Sequence, residues 1–242
     1  TVPNIILLGD SHAAAIAQQL SVKAPELALK MYTAYACPPI LGLQSLDKHY
    51  SCPQLLPKML QEINDQHSGV PIIIYSRLNS YVEGANETKA AVNMDLNKLM
   101  VGKYAPGNDN FKTELAQQLT STLCQIARNN PVTVVLPTPE LGFDPVKRIA
   151  RDQRLQREVS AYGVPLAAHQ QRSSIALTAL KNAQAQCGIK LFDPIPYLCQ
   201  DSFCAANDGK RIRYFDDDHL SQYGASLFAS ELINALNLPI NN

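Results

Sequence analysis

Residues 4–20 read Asn4-Ile5-Ile6-Leu7-Leu8-Gly9-Asp10-Ser11-His12-Ala13-Ala14-Ala15-Ile16-Ala17-Gln18-Gln19-Leu20. The short, unbroken aliphatic run at its head predicts a strand. Gly9 permits a close backbone path, Asp10 and Ser11 suit the start of a helix, and the alanine-rich run beyond them is helix-prone. Strand, tight turn and helix in that order open an α/β fold, and ligands of open parallel sheets bind at such carboxyl strand ends.

Outward from this unit the alternation repeats. Strands are expected at about Leu29–Ala34, Val70–Ser76, Pro131–Pro137 and Ile189–Phe192. Helices are expected at about Pro53–Asp65, Ser173–Gln186, Ser221–Leu236 and Phe111–Asn129, where Leu115, Leu119, Leu123 and Ile126 fall at helical spacing. The polar stretch 83–109 reads mostly as loop. Strands alternating with long helices predict a three-layer α/β/α sandwich around a mainly parallel sheet. No linker or repeat divides the chain, so residues 1–242 are expected to form one domain.

Lys plus Arg equals Asp plus Glu at 21 each, and this zero net charge gives no field to gather nucleic acid or an anionic membrane. No run of about 18 apolar residues exists to span a bilayer. The chain starts at Thr1 without a signal-peptide pattern, which predicts a processed protein or a domain excised from a longer one. Six cysteines, an even number, predict disulfides and an oxidising compartment. Cys37–Cys52 and Cys199–Cys204 are the expected pairs because each closes a short loop, while Cys124 and Cys187 either pair or stay as buried thiols. Cys-x-x-Cys spacing is absent, so no metal site is expected, and no motif asks for a cofactor. The sequon Asn86-Glu87-Thr88 is too common a triplet to carry weight.

Ser11 stands at a helix start, where free N–H groups favour negative charge. A serine hydroxyl attacks only with a base beside it, and that base needs an orienting acid. Near the other end, Phe215-Asp216-Asp217-Asp218-His219-Leu220-Ser221 runs into the final helix. A carboxylate three residues before a histidine can reach its Nδ1 and leave Nε2 for the serine. Ser11 is therefore the candidate nucleophile, His219 its base and Asp216 the acid, with Asp217 and Asp218 free to cap the helix. His12, His49, His67 and His169 read as structural or solvated, although His12, next to the nucleophile, could line the site. The arginines between Arg148 and Arg157 read as a solvated face.

Gly-Asp-Ser at the first strand with Asp-x-x-His near the C-terminus resembles the SGNH hydrolase superfamily, over essentially the whole chain. Gly-Asp-Ser-His, a cysteine followed by Pro38-Pro39, and a paired-cysteine loop ahead of Asp-x-x-His-Leu-Ser make it most similar to the extracytoplasmic SGNH domains fused to membrane acyltransferase-3 domains. That resemblance implies a flavodoxin-like fold without cofactor, an acyl (acetyl) donor and a saccharide acceptor as partners, and O-acetylation of a surface polysaccharide. It also implies a periplasmic place, tethered through an upstream membrane acyltransferase domain. The family's Gly-x-Asn-Asp block corresponds here to Arg77-Leu78-Asn79-Ser80. Asn79 then falls at the oxyanion-hole donor beside the Ser11 N–H, Arg77 is a rival donor, and Leu78 departs from the family's Arg-Trp. No clear match exists for the second-block glycine, Gly42 being the nearest. The same triad would serve an esterase, and a glycan-binding domain that has lost activity would keep the fold.

Overall fold

The aliphatic runs of the sequence become the strands of one sheet. A computed structural model describes residues 3–86, 98–158, 161–209 and 211–237. In chain order the first elements are β1 (Ile5–Gly9), α1 (Ser11–Lys23), β2 (Leu29–Thr33), β3 (Leu43–Ser45), α2 (Cys52–Gln66), β4 (Ile72–Tyr75) and α3 (Leu78–Glu83). There follow β5 (Leu99–Val101), α4 (Asp109–Ala127), β6 (Val132–Val135), α5 (Pro145–Arg154), β7 (Gly163–Pro165), α6 (Leu166–Cys187) and β8 (Lys190–Phe192). The last are α7 (Ile195–Leu198), β9 (Cys199–Gln200), β10 (Phe203–Ala205), β11 (Asn207–Asp208), β12 (Arg211–Ile212), α8 (Gln222–Ser226) and α9 (Ala229–Ala235).

Five strands pair in the order β2-β1-β4-β6-β8, all parallel. Strand side chains alternate between faces, and the two cores follow that alternation. Ile6, Leu8, Ile72, Ile74, Val132 and Val134 pack with residues of α2, α4 and α6. Ile5, Leu7, Ile73, Tyr75 and Val135 pack with residues of α1, α8 and α9. The result is the three-layer sandwich expected from the alternation. From β1 the chain runs first to β2 on one side and later to β4 on the other. The strand order therefore reverses at the carboxyl end of β1, where a crevice opens in doubly wound sheets.

Several elements differ from the sequence reading. Part of 83–109 is not loop: β5 pairs antiparallel with β3, and each is three residues long, too short for alternation to show. The sequon residues Glu87 and Thr88 lie outside the described residues. The helix expected from Ser173 begins at Leu166, because the polar run His169-Gln170-Gln171-Arg172 in its first turns hides the apolar period. The final helix is two helices, α8 and α9. Leu227 and Phe228 bond back to the third residue before them, tightening the chain, and Phe228 is driven into the core at 1% exposure. Disulfides join Cys37–Cys52, Cys199–Cys204 and Cys124–Cys187, the last clasping α4 to α6.

Candidate active site

The turn after β1 can be made only by glycine. A Cβ on Gly9 would sit 1.8 Å from the Tyr75 carbonyl oxygen, so any side chain would push β1 off β4. Asp10 then caps α1, its Oδ1 accepting the His12 N–H at 2.9 Å. Its Oδ2 accepts Ser76 Oγ at 2.5 Å, the Arg77 N–H at 3.0 Å and Tyr81 Oη at 3.1 Å. One buried carboxylate thus welds the exits of β1 and β4. Burial works to raise its pKa, but the bonds to His12 and Ser76 prevail and hold it below the usual carboxylate value.

This turn presents Ser11 at the first position of α1, where the leading N–H groups have no intrahelical acceptor. From the far end of the chain, His219 Nε2 comes to 2.8 Å from Ser11 Oγ. His219 Nδ1 lies 2.9 Å from Asp216 Oδ2, and Asp216 Oδ1 accepts the backbone N–H groups of His219 and Asp218 at 2.7 and 3.0 Å. A bridge between Tyr214 and Leu220 closes this loop, and α8 anchors it: a Cβ on Gly224 would lie 2.0 Å from the Arg213 carbonyl oxygen. Ser11, His219 and Asp216 are therefore brought together across 208 residues of chain.

A second set of charges lies behind the imidazole. Asp218 Oδ1 approaches the same His219 Nδ1 to 2.8 Å, without the alignment of the Asp216 contact. Asp217 and Asp218 do not cap the following helix; Ser221 does, accepting the Gly224 N–H at 3.1 Å. The bridged loop instead turns Asp218 into the core, where it meets His12 Nε2 at 3.2 Å and Arg77 Nη1 at 2.7 Å. His12 is buried, with Nδ1 3.4 Å from Asp10 Oδ1 and its ring stacked on His219 at 4.2 Å between centroids. Arg77 also donates from Nε to Glu140 at 2.7 Å and from Nη2 to Asn86 at 3.2 Å, and Glu140 in turn binds Arg172. The carboxylates facing Arg77, Asp218 and Glu140, are both buried.

The charges explain the protonation states. Asp218 and Glu140 face the guanidiniums of Arg77 and Arg172, while Asp10, Asp216 and Asp218 face the two imidazoles, an arrangement that favours protons on both rings. Burial disfavours a charged His219 ring, but Asp216 and Asp218 overcome it and push its pKa up to about 10. Burial likewise opposes a charged His12, and Asp10 and Asp218 raise it nonetheless. For Asp218 the two histidines and Arg77 outweigh burial and hold the carboxyl far down; Asp216 is lowered in the same sense by His219. His12, Asp218 and His219 offer atoms close enough for a metal, as do Asp216, Asp217 and Asp218. Both His219 nitrogens are already engaged, with Ser11 and with the carboxylates.

Asn79, two residues past Arg77 at the head of α3, is buried and donates from Nδ2 to Ser173 Oγ at 3.0 Å. Gly42 lies against Gln118 of α4, away from the exit of β2, where Ala36 takes the left-handed backbone at φ 52°. His67 and His169 are buried; burial lowers His169 to about 4. His49 is exposed, and Arg148 lies on the surface over the Phe143 ring at 3.7 Å. The sequence reading missed Glu140 and Arg172 altogether and gave Asp218 the role of a cap, while for His12 it held open the site-lining place that its stacking on His219 matches.

A family model described as "SGNH domain (fused to AT3 domains)" matches residues 1–234. No curated protein sequence matches the chain at a significant level. Among solved structures, the periplasmic domain of the Salmonella ser. Paratyphi A lipopolysaccharide acetyltransferase superposes with TM-score 0.66 at 17% identity, over 98% of this chain and 84% of that one. Est24, a carbohydrate acetylesterase from Sinorhizobium meliloti, gives TM-score 0.51 at 10% identity, over 96% and 97% of the two chains. A member of the lipolytic G-D-S-L family from Veillonella parvula gives 0.50 at 13% identity, over 96% and 97%. At these identities the likeness is one of fold.

Proposed function

The chain belongs to the SGNH domains fused to AT3 domains, and from that premise we propose that it transfers an acyl group, acetyl first, to a hydroxyl of a cell-surface polysaccharide. The observation that carries this reading is the line Ser11 Oγ, His219, Asp216, with contacts of 2.8 and 2.9 Å. Neutral His219 takes the Ser11 proton at Nε2 as Oγ bonds to the ester carbonyl carbon. The carbonyl electron pair moves onto oxygen, which faces the Ser11 N–H at the positive end of α1. The intermediate collapses, His219 returns the proton to the departing alkoxide, and the acyl group stays on Ser11. A sugar hydroxyl then gives its proton to His219 as its oxygen attacks the acyl carbon; the intermediate collapses, the bond to Ser11 Oγ breaks, His219 returns the proton to Oγ, and the new ester leaves.

The described residues contain no helix long and apolar enough to cross a membrane. In this proposal residues 1–242 act as one catalytic unit on the periplasmic side, tethered by a membrane acyltransferase domain in the same protein. The three disulfides fit that oxidising compartment.

Two other readings each have an observation in their favour. His219 keeps 19% of its side chain exposed, so water reaches the base and an esterase would use the same triad. Asn79 spends an amide N–H on Ser173, which favours a binding domain with a weakened oxyanion hole. Turnover of p-nitrophenyl acetate with and without oligosaccharides separates all three. Ser11→Ala is expected to lose on the order of 10⁴-fold or more in turnover. Equal turnover by the variant and the parent protein refutes catalysis, and hydrolysis unaffected by any acceptor refutes the transferase.

A further inference from the structure

Transfer to a sugar requires the acceptor to be held beside His219 against water, which is present in vast excess; binding that fixes the hydroxyl supplies this advantage. The side chain best placed to do so is Phe215. It is 58% exposed, and its ring lies tilted over the His219 ring at 5.3 Å between centroids. Single exposed apolar residues are ordinary on protein surfaces. Phe215 is set apart by its contact with the His219 ring and by its clamped backbone. Its N–H donates to the His219 carbonyl at 3.0 Å, and the adjacent bridge pins buried Tyr214 to buried Leu220. Tyr35, 61% exposed, stands on the same edge of the sheet. It follows Ala34, whose N–H donates to the Gly9 carbonyl at 3.2 Å, and precedes Ala36, whose carbonyl accepts Tyr50 Oη at 3.0 Å. The Cys37–Cys52 disulfide clasps the same loop. Both rings are thus offered to solvent from clamped backbone tied close to the Ser11 turn, so little freedom remains to be lost on binding.

We infer that Phe215 and Tyr35 form an aromatic platform that seats the apolar face of a neutral pyranose ring over the Ser11–His219 pair. The negative face of each aromatic ring meets the positive C–H groups along one side of the sugar. The hydroxyls on the sugar rim then point past the platform toward the acyl group on Ser11. This rests on the proposed acyl transfer to a saccharide, and it names the part of the acceptor that is recognised.

The chain contains no tryptophan, so Phe215→Trp creates a single fluorescent reporter at the platform. In the Ser11→Ala, Phe215→Trp double variant, which removes the proposed nucleophile, emission is titrated with cellotetraose, maltotetraose and chitotetraose at millimolar concentrations. A saturable shift with at least one is expected, and removal of Tyr35 by Tyr35→Ala weakens it. With Ser11 intact, Phe215→Ala is expected to raise the acceptor KM about tenfold, whereas Phe215→Trp largely preserves it. The platform is overturned by unchanged emission with all three sugars, or by Phe215→Ala lowering hydrolysis and transfer by the same factor, since that marks a ring that merely props His219. Because the titration needs no turnover, it stands or falls separately from catalysis by Ser11.

Discussion

The two sides of the His219 ring are built differently. On the outer side stand Ser11 and Asp216, the latter with 30% of its side chain exposed and hydrogen bonds that are short and aligned. On the inner side stand Asp218, His12 and Arg77, with 5%, 3% and 15% of their side chains exposed. Both sides place a carboxylate within 3 Å of the same nitrogen. Alignment distinguishes Asp216, whereas burial and charge pairing distinguish Asp218. Both carboxylates tighten the ring's hold on its proton, but only the outer one is aligned to orient the ring toward Ser11, and only the inner one is paired with buried charge.

The sharpest way to break this division is to neutralise each carboxylate in turn. Asp216→Asn is expected to cost on the order of 10²–10⁴ in kcat by spoiling ring orientation, with the urea midpoint little changed because the site is open to water. Asp218→Asn leaves Arg77 and His12 facing a neutral amide in the core. A loss of about 3 kcal/mol of unfolding free energy is expected, read from urea denaturation. A folded, inactive Asp218→Asn alongside an active Asp216→Asn would exchange the two roles.

The outer side was legible in the sequence because it sits on element boundaries. A strand that stops at Gly9 and a helix that starts near Ser221 locate Ser11 and His219 without knowledge of packing. The inner side was not, for a physical reason in each case. Three consecutive aspartates offer three carboxylates, and only the bridge of Tyr214 to Leu220 decides that Asp218 turns inward. Glu140 meets Arg77 through strand order, since the exits of β4 and β6 are neighbours in the sheet but 63 residues apart in the chain. His12 did leave a signal. It shares the buried stripe of α1 with Ala13, Ile16, Ala17 and Leu20, so its period marked a core side chain from the start.

The proton on His219 offers a smaller but more specific contrast. Its folded pKa of about 10 stands above the ordinary 6.5. The stabilisation it gives is therefore complete below about 6.5 and is lost as pH rises through about 10. In the proposed mechanism His219 accepts a proton only when neutral, so kcat/KM should climb across that same range while Tm declines. Rates from stopped assays and melts by circular dichroism, both from pH 6 to 10, check the pair of trends. A rate already level at neutral pH would show that Asp216 and Asp218 together do not hold the proton.

The smallest expected effect separates charge from packing on the inner side. Asp218 favours the His219 proton, whereas a charge on His12, whose pKa Asp10 and Asp218 raise against burial, opposes it from 4.2 Å away. Removing each charge should therefore move the alkaline limb of the pH–rate profile in opposite directions. Asp218→Asn lowers it and speeds deprotonation at a given pH; His12→Gln raises it, because the opposing charge is gone. Each displacement should change the neutral fraction at a fixed pH by less than about tenfold. If both variants shift the limb the same way, the stacked pair acts by shape alone, and the electrostatic division between the two sides of the ring fails.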